Sequence, residues 1–189
     1  MLPRSILTIF ALAAGPFANT NLTLAMGWPD MNVPGNRLHC FTREFNSGEG
    51  NDEKGEIIIG DMQVTAYNSK VMNTIYAFDK FSEMADMLEG LPHAQGFHSA
   101  MFGDMGPATS PNEPLFFLHH SNVDRVWARW QARNATRLAD YTGFQDLNNT
   151  IPASMADTMP ILELGDVAPV VKDYMDIQAG PLCYSYSSM

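Results

Sequence analysis

The sequence is poor in cysteine and in positive charge, and each shortage excludes a class of protein. Its 189 residues include only two cysteines, Cys40 and Cys183, which are too few for a disulfide scaffold and too far apart for a cysteine-type zinc ribbon. Eleven Lys and Arg residues are outnumbered by twenty-one Asp and Glu, which gives a formal net charge of −10. Because such a chain repels phosphate backbones and anionic lipids, we expect it to bind neither nucleic acid nor membranes.

The sequence also lacks an apolar run of the roughly 20 residues that a transmembrane helix needs. The longest run, residues 6–14, follows Arg4 and ends in small side chains. This is typical of a secretory signal peptide, and a buried strand explains it equally well, so we expect residues 1–18 to be a signal peptide or the start of a truncated domain. Three Asn-x-Ser/Thr triplets favour a secreted glycoprotein: Asn21, Asn134 and Asn148. In an oxidising compartment Cys40 and Cys183 could pair.

The composition, 46% hydrophobic and 17% charged, is that of one packed globular domain. Residues 19–67 are rich in Pro, Gly and Asn and predict long loops, with a single strand-like run at residues 56–59. Helical periodicity follows, so the predicted fold class is mainly α, with long loops and few short strands. A short helix is also predicted around residues 170–175.

Two longer segments predict the helices that matter most. Residues 68–89 carry an apolar face and predict one long or two broken helices that end at Gly90 and Pro92. A second helix is predicted to begin at Ser110, a natural N-cap, with Glu113 completing a capping box. From residue 116 to residue 133 this segment has no Gly or Pro. We expect the two helices to pack antiparallel.

Histidines cluster in these two segments. Four of the five lie between residues 93 and 120, and the fifth, His39, stands alone in a loop where a surface position is expected. Neutral imidazole is the commonest side-chain ligand for copper and zinc. The clustering therefore indicates a metal site built from some of these four: His93, His98, His119 and His120.

The predicted second helix places Phe116, His120 and Asp124 on one face, because positions four apart are neighbours. A histidine on a rigid helix with a carboxylate one turn away is a suitable ligand geometry. A surface ion pair of Asp124 with Arg125 or Arg129 is nearly as good an interpretation of that carboxylate.

His93 and His98 are five positions apart, which a regular helix separates by about 140°. Both can bind one ion only where the backbone departs from a regular α-helix. A π-bulge or a loop at Gly96 would provide that departure.

The run SPNEPLFFLHHSNVDRVWARWQ closely resembles the second copper-binding motif, DPxFxxHHxxxDRxW, of the type 3 copper family of tyrosinases, catechol oxidases and molluscan haemocyanins. The segment LEGLPHAQGFH resembles the part of the family that carries the other two ligands. The resemblance implies an oxidoreductase that uses copper, dioxygen and a phenol or catechol. It implies His93, His98 and His120 as copper ligands, His119 as a pocket residue that is not a ligand, and Glu89 as the carboxylate that holds an active-site water.

The apolar run from Phe116 to Leu118, together with Phe97, is expected to wall that pocket or to pack in the core. The sequence departs from the family at Glu113, where Asp is usual, and in the longer spacing of His93 and His98. Ala94 stands where members that hydroxylate monophenols often have Asn or Asp, so the resemblance favours catechol oxidation.

The largest departure is the absence of a first-copper motif. Six histidines hold two coppers in the family, whereas this chain has five in all. Residues 19–189 are therefore expected to be a partial tyrosinase domain, the second copper half. Four alternatives stay open: part of a longer tyrosinase or catechol oxidase, a short paralogue with one copper, a haemocyanin-like oxygen carrier, and a secreted module with a vestigial site. A dimer could bring two histidine sets together.

Overall fold

The structure, a computed structural model, describes residues 43–146, 148–159 and 168–188 in full, and the backbone of strands at residues 21–25 and 36–40. The segment predicted as a signal peptide or domain start, residues 1–18, lies outside the described residues. So do the side chains of His39 and Cys40. Cys183 is exposed, and its thiol donates to the Gly180 carbonyl over 3.1 Å.

Two antiparallel hairpins form where loops were predicted. Strand β1 (Asn21–Ala25) pairs with β2 (Asn36–Cys40), and β3 (Asn46–Asn51) pairs with β4 (Ile57–Ile59). Only β4 lies in the predicted strand-like run, so the prediction of a single strand was wrong. Strand β3 was not predicted, because its sequence, NSGEGN, has no alternation of apolar and polar residues. Its two glycines adopt positive φ, and its pairing with β4 has an irregular register.

The described residues are mostly helical with long connections, as the sequence predicted. The α-helices are α1 (Ser69–Ala77), α2 (Phe81–Leu88), the single turn α3 (Ser99–Met101) and α4 (Leu115–Gln131). A π-helix, Glu89–His98, connects α2 to α3. Short 3₁₀ turns occupy Gly103–Met105, Ser110–Asn112, Ala135–Ala139 and Val171–Tyr174, the last of these within the predicted short helix. No described helix is long and apolar enough to cross a membrane.

Two predicted helix boundaries were wrong. The α-helix α2 ends at Leu88, but Gly90 and Pro92 do not end the helical conformation, because the chain continues through both as the π-helix. The second long helix begins at Leu115 and not at Ser110. Glu113 is extended there (φ −84°, ψ 123°), as expected of a residue that precedes a proline.

The chain divides into two compact units, the first made of Met1–Asn68 and Leu91–Ser121, the second of Ser69–Gly90 and Asn122–Met189. The second unit has a hydrophobic core in which α1, α2 and the later part of α4 meet. Its centre is the fully buried Trp130, whose indole N–H donates to the Phe78 carbonyl over 2.7 Å. The apolar face predicted for residues 68–89 contributes Ile75, Met84 and Leu88 to this core, whereas Tyr76, Val126 and Trp130 were not predicted as core residues.

One carboxylate on α4 accepts two hydrogen bonds from the C-terminal segment of the second unit. The hydroxyls of Tyr184 and Tyr186 both donate to Oδ2 of Asp124, each over 2.5 Å. Burial, followed by the hydrogen bond to Asp124, raises the pKa of Tyr184 to about 12, and the same causes raise the pKa of Tyr186. Both phenols therefore keep their protons well above the usual pH of ionisation.

The hydrogen bonds of Tyr184 and Tyr186 to Asp124 predict that the free energy of unfolding decreases at alkaline pH. Tyr184→Phe should lower the free energy of unfolding at pH 8 by about 1.5 kcal/mol, as for a hydrogen bond to a charged group. A pKa raised in the folded state stabilises fully below pH 10, the unfolded value, and less as pH rises towards 12. The difference between wild type and variant should therefore shrink across that window in urea titrations. Tyr174→Phe, outside this cluster, is the control, and an equal loss there would contradict the prediction.

Candidate metal centre

Three imidazole nitrogens in the first unit lie close enough together to share one ion. The Nε2 atom of His120, on α4, is 3.4 Å from Nε2 of His93 and 3.3 Å from Nε2 of His98. Bonds of 2.0–2.1 Å in a tetrahedral arrangement separate two ligand nitrogens by about 3.3–3.4 Å. The distances thus fit a small transition-metal ion bound at a common centre.

The π-helix is what places His93 and His98 together. Its i→i+5 repeat places residues five apart about one turn from each other. The centroids of the two imidazole rings are 4.8 Å apart, and their planes are inclined at 70°. The expected departure from a regular helix is confirmed. Gly96, buried inside this helix, is required for close packing, because a Cβ there would lie 2.9 Å from Cβ of Tyr67 and 3.1 Å from the Leu91 carbonyl oxygen.

Contacts from neighbouring groups orient two of the three rings. Nδ1 of His98 lies 2.6 Å from the Met105 carbonyl oxygen. A carbonyl only accepts, so Nδ1 carries the proton and Nε2 presents its lone pair to the cluster. The ring of His120 stacks on Phe116, with centroids 3.9 Å apart.

His119 also belongs to the cluster, but its ring is oriented differently. One ring nitrogen each of His93, His98 and His119 lie within 4.8 Å of one another. An ion bound to imidazole lies in the ring plane, and the rings of His93 and His119 are stacked nearly parallel, at 11° and 5.3 Å. The rings of His93, His98 and His120 meet instead at 67–82°, so this set is the better candidate.

His119 is held neutral. Burial, and then the neighbouring His98, His93 and His120, lower its pKa to about 3, and one ring nitrogen is hydrogen-bonded to the His93 backbone. Its side chain is 5% exposed, and its Nε2 atom is buried without a hydrogen-bond partner in the described structure.

An ion pair fixes the start of α4, the helix that carries His120. Glu113 is fully buried; its Oε1 accepts from Nη2 of Arg43 over 2.6 Å, and its Oε2 accepts the Leu115 backbone N–H over 2.6 Å. Glu113 therefore caps the helix, as the sequence suggested, but with its own carboxylate at Leu115 and not in a box with Ser110. Arg43 was not predicted as a partner, because no spacing rule connects it to Glu113.

The three candidate ligands open into a hollow of about 300 Å³. Its wall is mostly small or apolar: Ala94, Gly106, Pro107, Ala108, Ser110 and Phe116. The predicted apolar wall is only partly present, because Phe117 and Leu118 are 61% and 68% exposed while Phe97 stacks on His119. The hollow leaves room for a further ligand beside the histidines.

The two candidate carboxylates belong to the second unit. Glu89 is exposed at the start of the π-helix and, like Asp124, lines a hollow of about 230 Å³ beside Trp127. The water-holding role predicted for Glu89 stays a prediction. Asp124 binds the two tyrosine hydroxyls and forms neither of the ion pairs considered for it, since Arg125 bonds to Asn122 and Arg129 lies over Tyr76. Tyr184 and Tyr186, in the run LCYSY, were not singled out as partners of Asp124.

Comparison with known proteins decides the family. The profile of the common central domain of tyrosinase matches residues 8–133. The chain belongs to the tyrosinase family. The match begins inside the apolar run of residues 6–14 that resembles a signal peptide.

Fungal proteins are among the similar sequences. Oxidase hkm6 of Aspergillus hancockii is 29% identical over 192 residues, 92% of this chain and 64% of that protein. Tyrosinase ustQ of Aspergillus flavus is 32% identical over 149 residues, 78% and 39% of the two chains. Tyrosinase-like protein phomQ1 of Diaporthe leptostromiformis is 30% identical over 184 residues, 91% and 44%. The chain thus spans between 39% and 64% of the length of these relatives.

The Arg43–Glu113 pair predicts a large effect of one neutral substitution. Glu113→Gln leaves Arg43 without its counter-charge and should lower the free energy of unfolding by about 3 kcal/mol. Glu113→Asp, which restores the family's usual residue, should recover part of that loss. Urea denaturation measures both, with Glu44→Gln on the exposed neighbouring carboxylate as matched control. If Glu113→Gln and Glu44→Gln are equally mild, the pair does not support the helix.

Proposed function

We propose that this chain binds one copper ion through Nε2 of His93, His98 and His120, as the second-copper half of a tyrosinase centre. The observation that carries the proposal is the pair of Nε2–Nε2 distances, 3.3 and 3.4 Å, around His120. Neutral imidazole is a borderline donor that suits copper. The tyrosinase family, in turn, makes copper the expected metal.

The residues around the ligands do the positioning. The Met105 carbonyl fixes the proton of His98 on Nδ1, and Phe116 supports the ring of His120. Copper, when bound, supplies the redox chemistry with which this family oxidises phenols by dioxygen. The hollow beside the histidines receives the aromatic ring, and Ala94 on its wall offers no side-chain hydrogen bond, which favours a catechol over a monophenol as substrate.

Activity would need a second set of histidines. Beyond the three proposed ligands the chain has only His119 and His39, too few for a second ion. Another polypeptide segment or a second copy would have to supply it. Phe117 and Leu118 favour a docking partner, since two large apolar side chains are exposed on the helix that carries His120. Oxygen carriage and a metal-free secreted module are the competing functions.

The secretory route is part of the same proposal. In the described residues, two of the three glycosylation triplets, at Asn134 and Asn148, are exposed. The side-chain oxygen of Asn134 accepts from the backbone N–H and hydroxyl of Thr136. Asn148 is therefore expected to be the more readily glycosylated of the two.

Metal content tests the copper proposal directly. The purified chain, loaded with copper and dialysed, should retain about one ion per molecule by elemental analysis. His120→Ala should weaken binding at least tenfold, because it removes the nitrogen close to both other ligands. His39→Ala, which removes the histidine that lies apart from the other four in the sequence, should leave the content unchanged. Two tightly held ions, or none, would overturn the proposal.

Oxygen uptake with a catechol tests the need for a second set. The copper-loaded monomer should show no turnover above background, because quinone formation removes two electrons and one bound copper accepts one at a time. Turnover on the order of 10 per second, an ordinary enzyme rate, would contradict this in a monomer. Sedimentation with and without copper identifies the active species, and activity confined to a dimer would assign the second set to another copy.

A further inference from the structure

The side chain of His119 is stacked with two other rings. Its imidazole lies on the ring of Phe97, with centroids 4.1 Å apart and planes 6° apart. The His119 ring is also nearly parallel to that of His93, with centroids 5.3 Å apart and planes 11° apart. His119 therefore connects an apolar side chain of the π-helix to a proposed ligand on the same helix.

A hydrogen bond adds to the stacking. One ring nitrogen of His119 is bonded to the backbone of His93 itself, so the same residue contacts both the main chain and the ring of the proposed ligand. Because His119 is on α4 and His93 is on the π-helix, these contacts join the two elements next to the site. The two rings are nearly parallel, whereas the three proposed ligand rings meet at 67–82°.

We infer that His119 is a positioning residue, which holds the His93 ring at its metal-binding angle by stacking with both Phe97 and His93 without binding the ion. Each proposed ligand then has its own support: the Met105 carbonyl for His98, Phe116 for His120, and His119 for His93. The expected effect on copper affinity rests on the proposed copper site, whereas the stacking of His119 with His93 does not. Residues that orient a metal ligand typically change affinity 10–100-fold when they are removed.

Substitution at His119 distinguishes support from ligation. His119→Ala removes the imidazole that stacks with His93. It should weaken copper binding 10–100-fold, with fewer nitrogen couplings in the Cu(II) electron paramagnetic resonance spectrum. His119→Phe keeps an aromatic ring without any nitrogen and should restore most of the affinity and the three-nitrogen spectrum. Wild-type affinity in His119→Ala would overturn the inference. A loss in His119→Phe as large as in His93→Ala would make His119 a ligand and would overturn it as well.

A second measurement separates this inference from the copper proposal. In the metal-free protein, ring-current shifts and side-chain dynamics of ¹⁵N-labelled His93 report whether its ring is held. We expect an ordered His93 ring in wild type and in His119→Phe. Phe97→Leu removes the aromatic ring that stacks on His119 and keeps an apolar side chain at that position. This variant replaces His119→Ala if the latter does not fold, and it should make the His93 ring more mobile. A mobile His93 ring in wild type overturns the inference, whereas an ordered ring in a chain that binds no copper overturns only the copper proposal.

Discussion

The spacing of His93 and His98 is the constraint on which the candidate site depends. Five positions apart, the two side chains diverge on an α-helix and converge on a π-helix. The chain meets this requirement with ten residues of π-helix, Glu89–His98, that contain Pro92 and the buried Gly96. Both residues disfavour a regular α-helix, and the glycine also admits the close approach of Tyr67. The same residues that break the α-helix thus align the two candidate ligands.

Orientation in the cluster comes from contacts of different kinds. A backbone carbonyl fixes the tautomer of His98, an aromatic ring supports His120, and a buried ion pair between Arg43 and Glu113 fixes the start of α4. The ion pair contributes through position more than through its own energy, since a buried pair gains little over an apolar substitute yet is costly to break. Its value here is that Glu113 has a second acceptor oxygen, which binds the Leu115 N–H at the helix start.

The sequence was informative where the chemistry is local. The four-residue periodicity of α4 and the face of Phe116 and His120 are properties of a regular helix, and they appear in the structure as predicted. The need for a departure between His93 and His98 also followed from angles alone. Long-range partners did not follow, because nothing in the local pattern links Arg43 to Glu113, or Tyr184 to a carboxylate 60 positions away. The start of α4 was misplaced because Pro114 was counted in a motif and not as a constraint on Glu113.

The chain has only five histidines, so a second metal ion would need histidines from a partner. The exposed side chains Phe117 and Leu118 on α4 are one place where such a partner could dock. Catechol oxidation to a quinone removes two electrons and two protons, so a centre with one metal ion must be joined by a second electron acceptor. Any histidine set that supplies it has to approach the open side of the cluster, where the wall is small and apolar. Phe117 and Leu118, on the turn before His120, are exposed, and a partner would gain from them only if it also covered these two side chains. Burial of two large side chains contributes about 3–6 kcal/mol, enough to favour association but less than a stable interface requires, so further contacts must come from the partner.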